Sequence, residues 1–169
     1  SAKKRWAARE ALQAHGELEV IEITPASIDR ENLNRLEEEA ILTLVLRYRP
    51  DHLFIDALGH PNAMPGVIAR MQAQLDERSG GTVRPVWTME PKADRTYPVV
   101  GAASIVAKTT RDAGLEAWCE AHGILGSGYP SDPKTRSWLT QHAQKGLPWP
   151  PFVRTRWQTV QDLAQRTLL

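Results

Sequence analysis

Four stretches of this chain hold residue types able to do chemistry. In HLFIDALG (His52–Gly59) one acid, Asp56, closes a short apolar run. A carboxylate there is costly to bury unless something pairs with it, and functional groups of open α/β sheets gather at the carboxyl ends of strands. Asp56 therefore reads either as a functional group or as a turn or helix-capping aspartate. In GAASIVAKTTRD (Gly101–Asp112), Ser104, Lys108 and Asp112 recur every four residues, which on a helix puts them along one slowly drifting stripe. Hydroxyl, ammonium and carboxylate in a row could receive a phosphate and a metal ion. Taken alone, the pattern fits a solvated face with a weak Lys–Asp pair better.

The third stretch, GSGYPSDPKT (Gly126–Thr135), sets Tyr129 among two glycines and two prolines. Turn chemistry accounts for the glycines and prolines, which supply positive or fixed φ, and leaves the phenol ring unexplained. The fourth is the segment from Pro133 to Gln161, which carries five cations (Lys134, Arg136, Lys145, Arg154, Arg156) and no acid. Trp138, Trp149 and Trp157 are interleaved with them. Cations mixed with aromatic rings suit a nucleic-acid surface; tryptophans are more often core, so the cations carry most of that signal.

The elements that must position these residues follow from periodicity and punctuation. Ala2–His15 reads as a helix stopped by Gly16, and Glu17–Thr24 as a strand with one wet face. A helix of about twenty residues is expected after Pro25 and the Asp29–Arg30–Glu31 cluster, with Leu33, Leu36, Ala40, Leu44 and Val45 on one side. His52–Gly59 suits a buried strand. Ala63–Ser79 reads as a helix closed by Gly80–Gly81, and Thr82–Glu90 as a strand that Pro85 marks as an edge. Pro98–His122 is the longest helix. Asp132 caps another, with Pro133 at its first position, running to about Lys145. Pro148, Pro150 and Pro151 then make an extended linker before a last helix ending near Leu169. Strands alternating with helices predict an α/β fold with at least part of its sheet parallel, in one domain spanning 1–169.

Composition narrows the class. Hydrophobic content of 41% and charged content of 24% are ordinary for a globular protein. The single cysteine, Cys119, excludes an internal disulfide and suits a reducing compartment. No apolar run reaches the roughly 18 residues of a membrane span, so no membrane partner is expected. The histidines show no zinc-ligand spacing, and phosphate-loop, dinucleotide and nucleophile-elbow motifs are absent from the sequence.

Two long motifs carry more than periodicity can. KADRTYPVVGAASIVAKTTRD (Lys92–Asp112) followed by GSGYPSDPKTRSWL (Gly126–Leu139) closely resembles type 2 ribonuclease H, also called ribonuclease HII, in its archaeal and eukaryotic catalytic-subunit form. ENLNRLEEEA (Glu31–Ala40), FIDALG (Phe54–Gly59) and PPFVRTRWQTVQ (Pro150–Gln161) match the same family in the same order. The resemblance implies a ribonuclease H-like mixed sheet flanked by helices, with residues 132–169 as a helical substrate-binding extension. It implies cleavage of the RNA strand of RNA/DNA hybrids and cutting at ribonucleotides embedded in DNA. An Asp-Glu-Asp-Asp set holds Mg²⁺ or Mn²⁺ in the family; Asp56 matches its third acid and Asp112 its fourth, both as catalytic metal ligands. Tyr129 matches the tyrosine that packs on the deoxyribose at the DNA–RNA junction, where a missing 2′-OH is sensed. Lys92, Ser104 and Lys108 fall near the scissile phosphate, and Lys134 and Arg154 are taken as further substrate contacts. A monomer is implied if the chain is archaeal-like and accessory subunits if eukaryotic-like, in the cytoplasm or nucleus respectively.

The family's Asp-Glu-Ala-Gly-Arg-Gly motif, which supplies the first two acids and a loop reading the 2′-OH, does not occur in these 169 residues. Ser1–Arg5 resembles the segment that follows it. Asp29–Arg30–Glu31 is no substitute, standing before a helix without glycines. The expectation is a type 2 ribonuclease H without its N-terminal part and its first strands. Two-metal hydrolysis holds its ions about 3.5–4 Å apart, which two acids would fix poorly, so little activity is expected of this polypeptide alone. Unpaired strand edges would invite aggregation. The competing readings are a non-catalytic nucleic-acid-binding ribonuclease H-like domain and a metabolic α/β enzyme matching by chance.

Overall fold

In the computed structural model, which describes residues 2–123 and 126–167, the side chains of Thr24, Asn32 and Asp132 cap the starts of three helices and Gly80 closes another, satisfying terminal backbone groups. Contact density divides the chain into two units, Ser1–Ile21 with Asn32–Ala107, and Glu22–Glu31 with Lys108–Leu169.

The first unit opens with α1 (Ala2–Gln13). The segment after it, expected as a strand over Glu17–Thr24, has no ladder partner among the described residues and so forms no strand. Alternating side chains predict which faces are wet; a strand also needs a neighbouring backbone to pair with. Its acids are engaged instead, Glu17 and Glu19 accepting hydrogen bonds from the Tyr48 hydroxyl and Glu19 pairing with Arg47. The Glu19 carboxylate drives the Tyr48 phenol well above its ordinary range.

The helix expected after the Asp29–Arg30–Glu31 cluster starts at Leu33, and a short helix that was not expected precedes it. α2 (Pro25–Arg30), which belongs to the second unit, ends at Glu31, and Asn32 caps α3 (Leu33–Tyr48) by accepting from the Asn34 N–H at 2.9 Å. An Asn that accepts from the second residue after it favours a cap over continuation. β1 (His52–Asp56) follows, then a 3₁₀ turn (Pro61–Ala63), α4 (Met64–Ser79) and β2 (Val86–Glu90). Gly80 closes α4 at φ +64°, its N–H and that of Gly81 both reaching the Asp76 carbonyl.

β1 and β2 are parallel, in register from His52 opposite Val86 to Asp56 opposite Glu90. Leu53 and Ile55 face the core while His52, Phe54 and Asp56 lie on the other face, where the Phe54 ring meets that of Tyr97 at 5.0 Å between centroids, so β1 is half-exposed rather than buried as expected. The core beneath is Leu42 and Val45 of α3, Met64, Val67, Met71 and Leu75 of α4, Val83 and Met89. Arg70 of α4 donates twice to the buried Glu38 of α3, from Nε at 3.1 Å and Nη2 at 2.5 Å. α5 (Ala93–Thr96) packs on β1, and α6 (Pro98–His122) gives its residues to Ala107 to this unit.

The second unit holds the rest of α6, then α7 (Pro133–Gln144) and α8 (Gln158–Thr167). The expected end of the last helix near Leu169 lies outside the described residues. Leu139, Val153 and Val160 make its core, with Trp138, Trp149, Phe152, Trp157 and Leu163 against them. The three tryptophans that the sequence interleaves with cations therefore serve packing. The proline linker is irregular over 147–150 and then turns twice. One carboxylate, Asp29 of α2, accepts from the Thr155 N–H at 2.6 Å, the Thr155 hydroxyl at 2.8 Å and the Arg156 N–H at 3.3 Å. That ties α2 to the segment entering α8. No described helix is long and apolar enough to cross a membrane.

Candidate functional site

Asp56 ends β1 because the apolar run that fills the core side of the strand ends there. Its Oδ1 accepts the N–H of Ala57 at 3.0 Å and that of Ala93, in the first turn of α5, at 3.2 Å. Oδ2 makes no hydrogen bond among the described residues, and the side chain is exposed. The turn-capping role that the sequence left open is thus present: Oδ1 organises the turn. Opposite Asp56 in the register is Glu90, at the end of β2. Glu90 accepts from the Tyr97 hydroxyl at 2.8 Å, which raises the Tyr97 pKa. Sequence reasoning passed over Glu90, although an acid closing a strand is the signal that singled out Asp56.

Lys92 stands next to Ala93 and is exposed, with its backbone left-handed at φ 61° and ψ 31°. For a non-glycine residue that conformation costs about 1–2 kcal/mol. It is set by the Pro91–Lys92 turn that delivers the Ala93 N–H to Asp56. Lys92→Gly relieves the strain but adds chain entropy worth about 0.5–1 kcal/mol, so a net gain of up to about 1.5 kcal/mol is expected. A raised urea midpoint would show it; a lowered midpoint would mean that the lysine side chain itself holds the turn.

α6 carries Ser104, Lys108 and Asp112 at the four-residue intervals read from the sequence. Ser104 is half-buried, Lys108 exposed and Asp112 half-buried. Arg111 Nη1 lies 3.5 Å from Asp112 Oδ1.

The Tyr129 loop is tied at each turn. Asp132 Oδ2 accepts the Ser127 N–H, Oδ1 accepts the Lys134 N–H at 3.0 Å, and the Asp132 N–H reaches the Tyr129 carbonyl at 3.0 Å. The Gly128 N–H donates to Thr135 Oγ1 at 3.0 Å. Those bonds, the Ser127 N–H first among them, hold the Asp132 carboxyl below its ordinary pKa. Asp132 is the cap expected for α7, and it anchors the preceding loop as well. Tyr129 remains 53% exposed, enough for a ligand to reach it. The Arg111 guanidinium lies over the ring at 4.2 Å from its centroid, and Nη2 donates to the Ser127 carbonyl at 2.7 Å. Arg111 was missed in the sequence; nothing in its spacing announces a ring eighteen residues on.

Of the remaining candidates, Lys134 is exposed at the start of α7, while Arg154 lies over the Trp157 ring at 5.3 Å with its Nε buried and unbonded. Asp56 and Lys92 thus gather at the β1 end in the first unit, and Asp112 and Tyr129 around Arg111 in the second. Among the described residues no three His, Cys, Asp or Glu side chains converge as metal ligands. Asp56 and Asp112 are the oxygen donors that hard cations such as Mg²⁺ take, but the donors described here do not make a closed centre.

The fold defines an α/β protein of the ribonuclease class: the crystal structure of the ribonuclease H2 from Pyrococcus horikoshii superposes with a TM-score of 0.83 at 30% identity, covering 99% of this chain and 78% of that one. Ribonuclease HII in the PCNA:RNase HII complex from Archaeoglobus fulgidus superposes with a TM-score of 0.76 at 34% identity, covering 96% and 76%. The family model for ribonuclease HII matches residues 8–160, and the chain belongs to that family. Ribonuclease HII of Hyperthermus butylicus is 38% identical over 151 residues, 86% of this chain, and that of Archaeoglobus fulgidus 36% identical over 154 residues, 89% of it. The chain spans 58% of the length of the first relative and 70% of the second.

Proposed function

We propose that this chain belongs to an endoribonuclease that hydrolyses the RNA strand of RNA/DNA hybrids and cuts at ribonucleotides embedded in DNA. The observation that carries the reading is the family match over residues 8–160, supported by the exposed ring of Tyr129 on a loop tied at both ends. Residues 1–169 act in this reading as one ribonuclease H-like domain, with 132–169 its substrate-binding extension. Tyr129 meets the deoxyribose at the DNA–RNA junction. Lys92, Ser104, Lys108, Lys134 and Arg154 surround the phosphates in this reading, and the chain acts as a monomer. A divalent cation, Mg²⁺ or Mn²⁺, supplies Lewis-acid chemistry when bound and can activate water. Asp56 and Asp112 are its ligands in this chain. Because three donors do not converge among the described residues, no hydrolytic step is assigned to the polypeptide by itself, and its own cleavage rate is expected to be low.

The same observation favours one second reading, binding without cleavage. Both are tested by anisotropy and cleavage assays with three duplexes: all-DNA, RNA/DNA hybrid, and DNA containing one ribonucleotide. Preference for the two ribonucleotide-containing duplexes, weakening as salt rises, supports the family reading. Cleavage that requires Mg²⁺ or Mn²⁺ separates nuclease from binding domain. Equal affinity for all-DNA duplex sinks the proposal.

A further inference from the structure

Within the second unit, the Arg111 side chain touches the Tyr129 ring, its loop and the neighbouring acid at once. Its guanidinium lies 4.2 Å from the ring centroid, Nη2 donates to the Ser127 carbonyl at 2.7 Å, and Nη1 stands 3.5 Å from Asp112 Oδ1. A planar, delocalised cation can stack on a ring and donate from its edge at the same time; a lysine ammonium cannot do both. The ring therefore has one face backed by a cation, and 53% of the tyrosine stays open. The loop geometry leaves little slack, since a Cβ on Gly128 would lie 3.1 Å from Arg111 Nη2 and 3.1 Å from Leu115 Cδ1.

We propose that Arg111 is a positioning residue for recognition of the DNA–RNA junction: it fixes the Tyr129 ring on one face so that the other meets the deoxyribose. The inference rests on the reading that Tyr129 contacts that sugar. Arg111 acts through the ring, and no contact of its own with substrate is required. A stacked cation of this kind is worth about a three- to tenfold change in an equilibrium, and the effect should fall on discrimination more than on total affinity.

The test compares the whole chain with Arg111→Ala, Arg111→Lys, Tyr129→Ala and the double variant Arg111→Ala/Tyr129→Ala. The readout is the ratio of affinities for a duplex holding one DNA–RNA junction and for one whose RNA strand is continuous, in Ca²⁺ to prevent turnover. Arg111→Ala is expected to lower that ratio about three- to tenfold, as Tyr129→Ala does, with no further loss in the double variant. Arg111→Lys, which keeps the charge, recovers only part. A purely electrostatic role would weaken both duplexes alike and leave the ratio untouched, overturning the proposal. Ring resonances of ¹³C-labelled tyrosine give a readout independent of substrate, and the Tyr129 signals should move in Arg111→Ala. Unmoved signals overturn the positioning role even if Tyr129→Ala loses the preference. A preference retained in Tyr129→Ala overturns the Tyr129 reading instead, and Arg111's part in recognition with it.

Discussion

Asp56→Asn and Asp112→Asn should each leave the protein folded and weaken divalent-cation binding. The substitution is isosteric, and at position 56 the carbonyl oxygen of the new amide can accept the Ala57 and Ala93 N–H groups that Asp56 Oδ1 holds at 3.0 and 3.2 Å. What disappears is the negative charge and the oxygen that has no hydrogen bond among the described residues. At position 112 the half-exposed contact with Arg111 at 3.5 Å is lost, a kind of pair worth about 0–1 kcal/mol. Mg²⁺ is commonly held by one or two carboxylates completed by substrate phosphates, so each acid is a large share of what this chain can offer. Replacing a neutral second-layer partner of a metal ligand already costs about 10–100-fold in affinity; loss of a charged ligand should cost at least about tenfold. Mn²⁺ titration followed by electron paramagnetic resonance, with hybrid duplex present, measures it, and any metal-dependent cleavage should fall to background. Asp56→Ala separates the two roles of that residue, since it removes the turn-organising oxygen too and should cost about 1 kcal/mol of stability. If Asp56→Asn binds Mn²⁺ as the parent does, Asp56 is a capping residue and nothing more.

Gly126→Ala is expected to break the Tyr129 loop. Gly126 has φ +71°, and a Cβ there would press on the Asp132 carboxylate, 2.8 Å from Lys134 Cβ and 2.9 Å from the Thr135 backbone nitrogen. Two costs add: the left-handed backbone, about 1–2 kcal/mol, and crowding against backbone that cannot retreat, about 1–3 kcal/mol. The sum, about 2–5 kcal/mol, falls on Asp132, whose carboxylate holds both the loop and the start of α7. Gly80→Ala is the control, because Gly80 has a similar φ of +64° with open space where its Cβ would lie. Only the backbone cost applies there. Urea unfolding of the two variants isolates the crowding, and the Tyr129 ring signals should broaden or shift in Gly126→Ala alone. Equal destabilisation by the two alanines would mean that the loop adjusts freely and does not hold the ring.

Signals that act over a few residues were legible in the order of amino acids. Pro98 and Pro133 at helix starts, Asp132 as a cap and Gly80 as a stop all restrict φ or satisfy a terminal N–H or carbonyl locally, and the observed helices begin or end there. Asp56 at the end of its strand was legible for the same reason. The start of α3 was local too, since the Asn32 side chain caps it by accepting the Asn34 N–H; the short α2 before it went unread.

What only the tertiary structure decided is which distant groups meet. Glu17–Thr24 has the alternation of a strand and no ladder, because pairing depends on a second backbone. Asp29 finds Thr155 and Arg156 across more than a hundred residues. Arg111 covers Tyr129 because α6 and the loop pack together, not because their spacing requires it. The tryptophans went to the core of the second unit, since burying an indole removes more apolar surface from water than leaving it among the cations. Residue types and local bonding thus specified the elements and the chemistry available to this ribonuclease HII family member. Packing free energy, summed over contacts remote in the chain, selected which of those groups stand side by side.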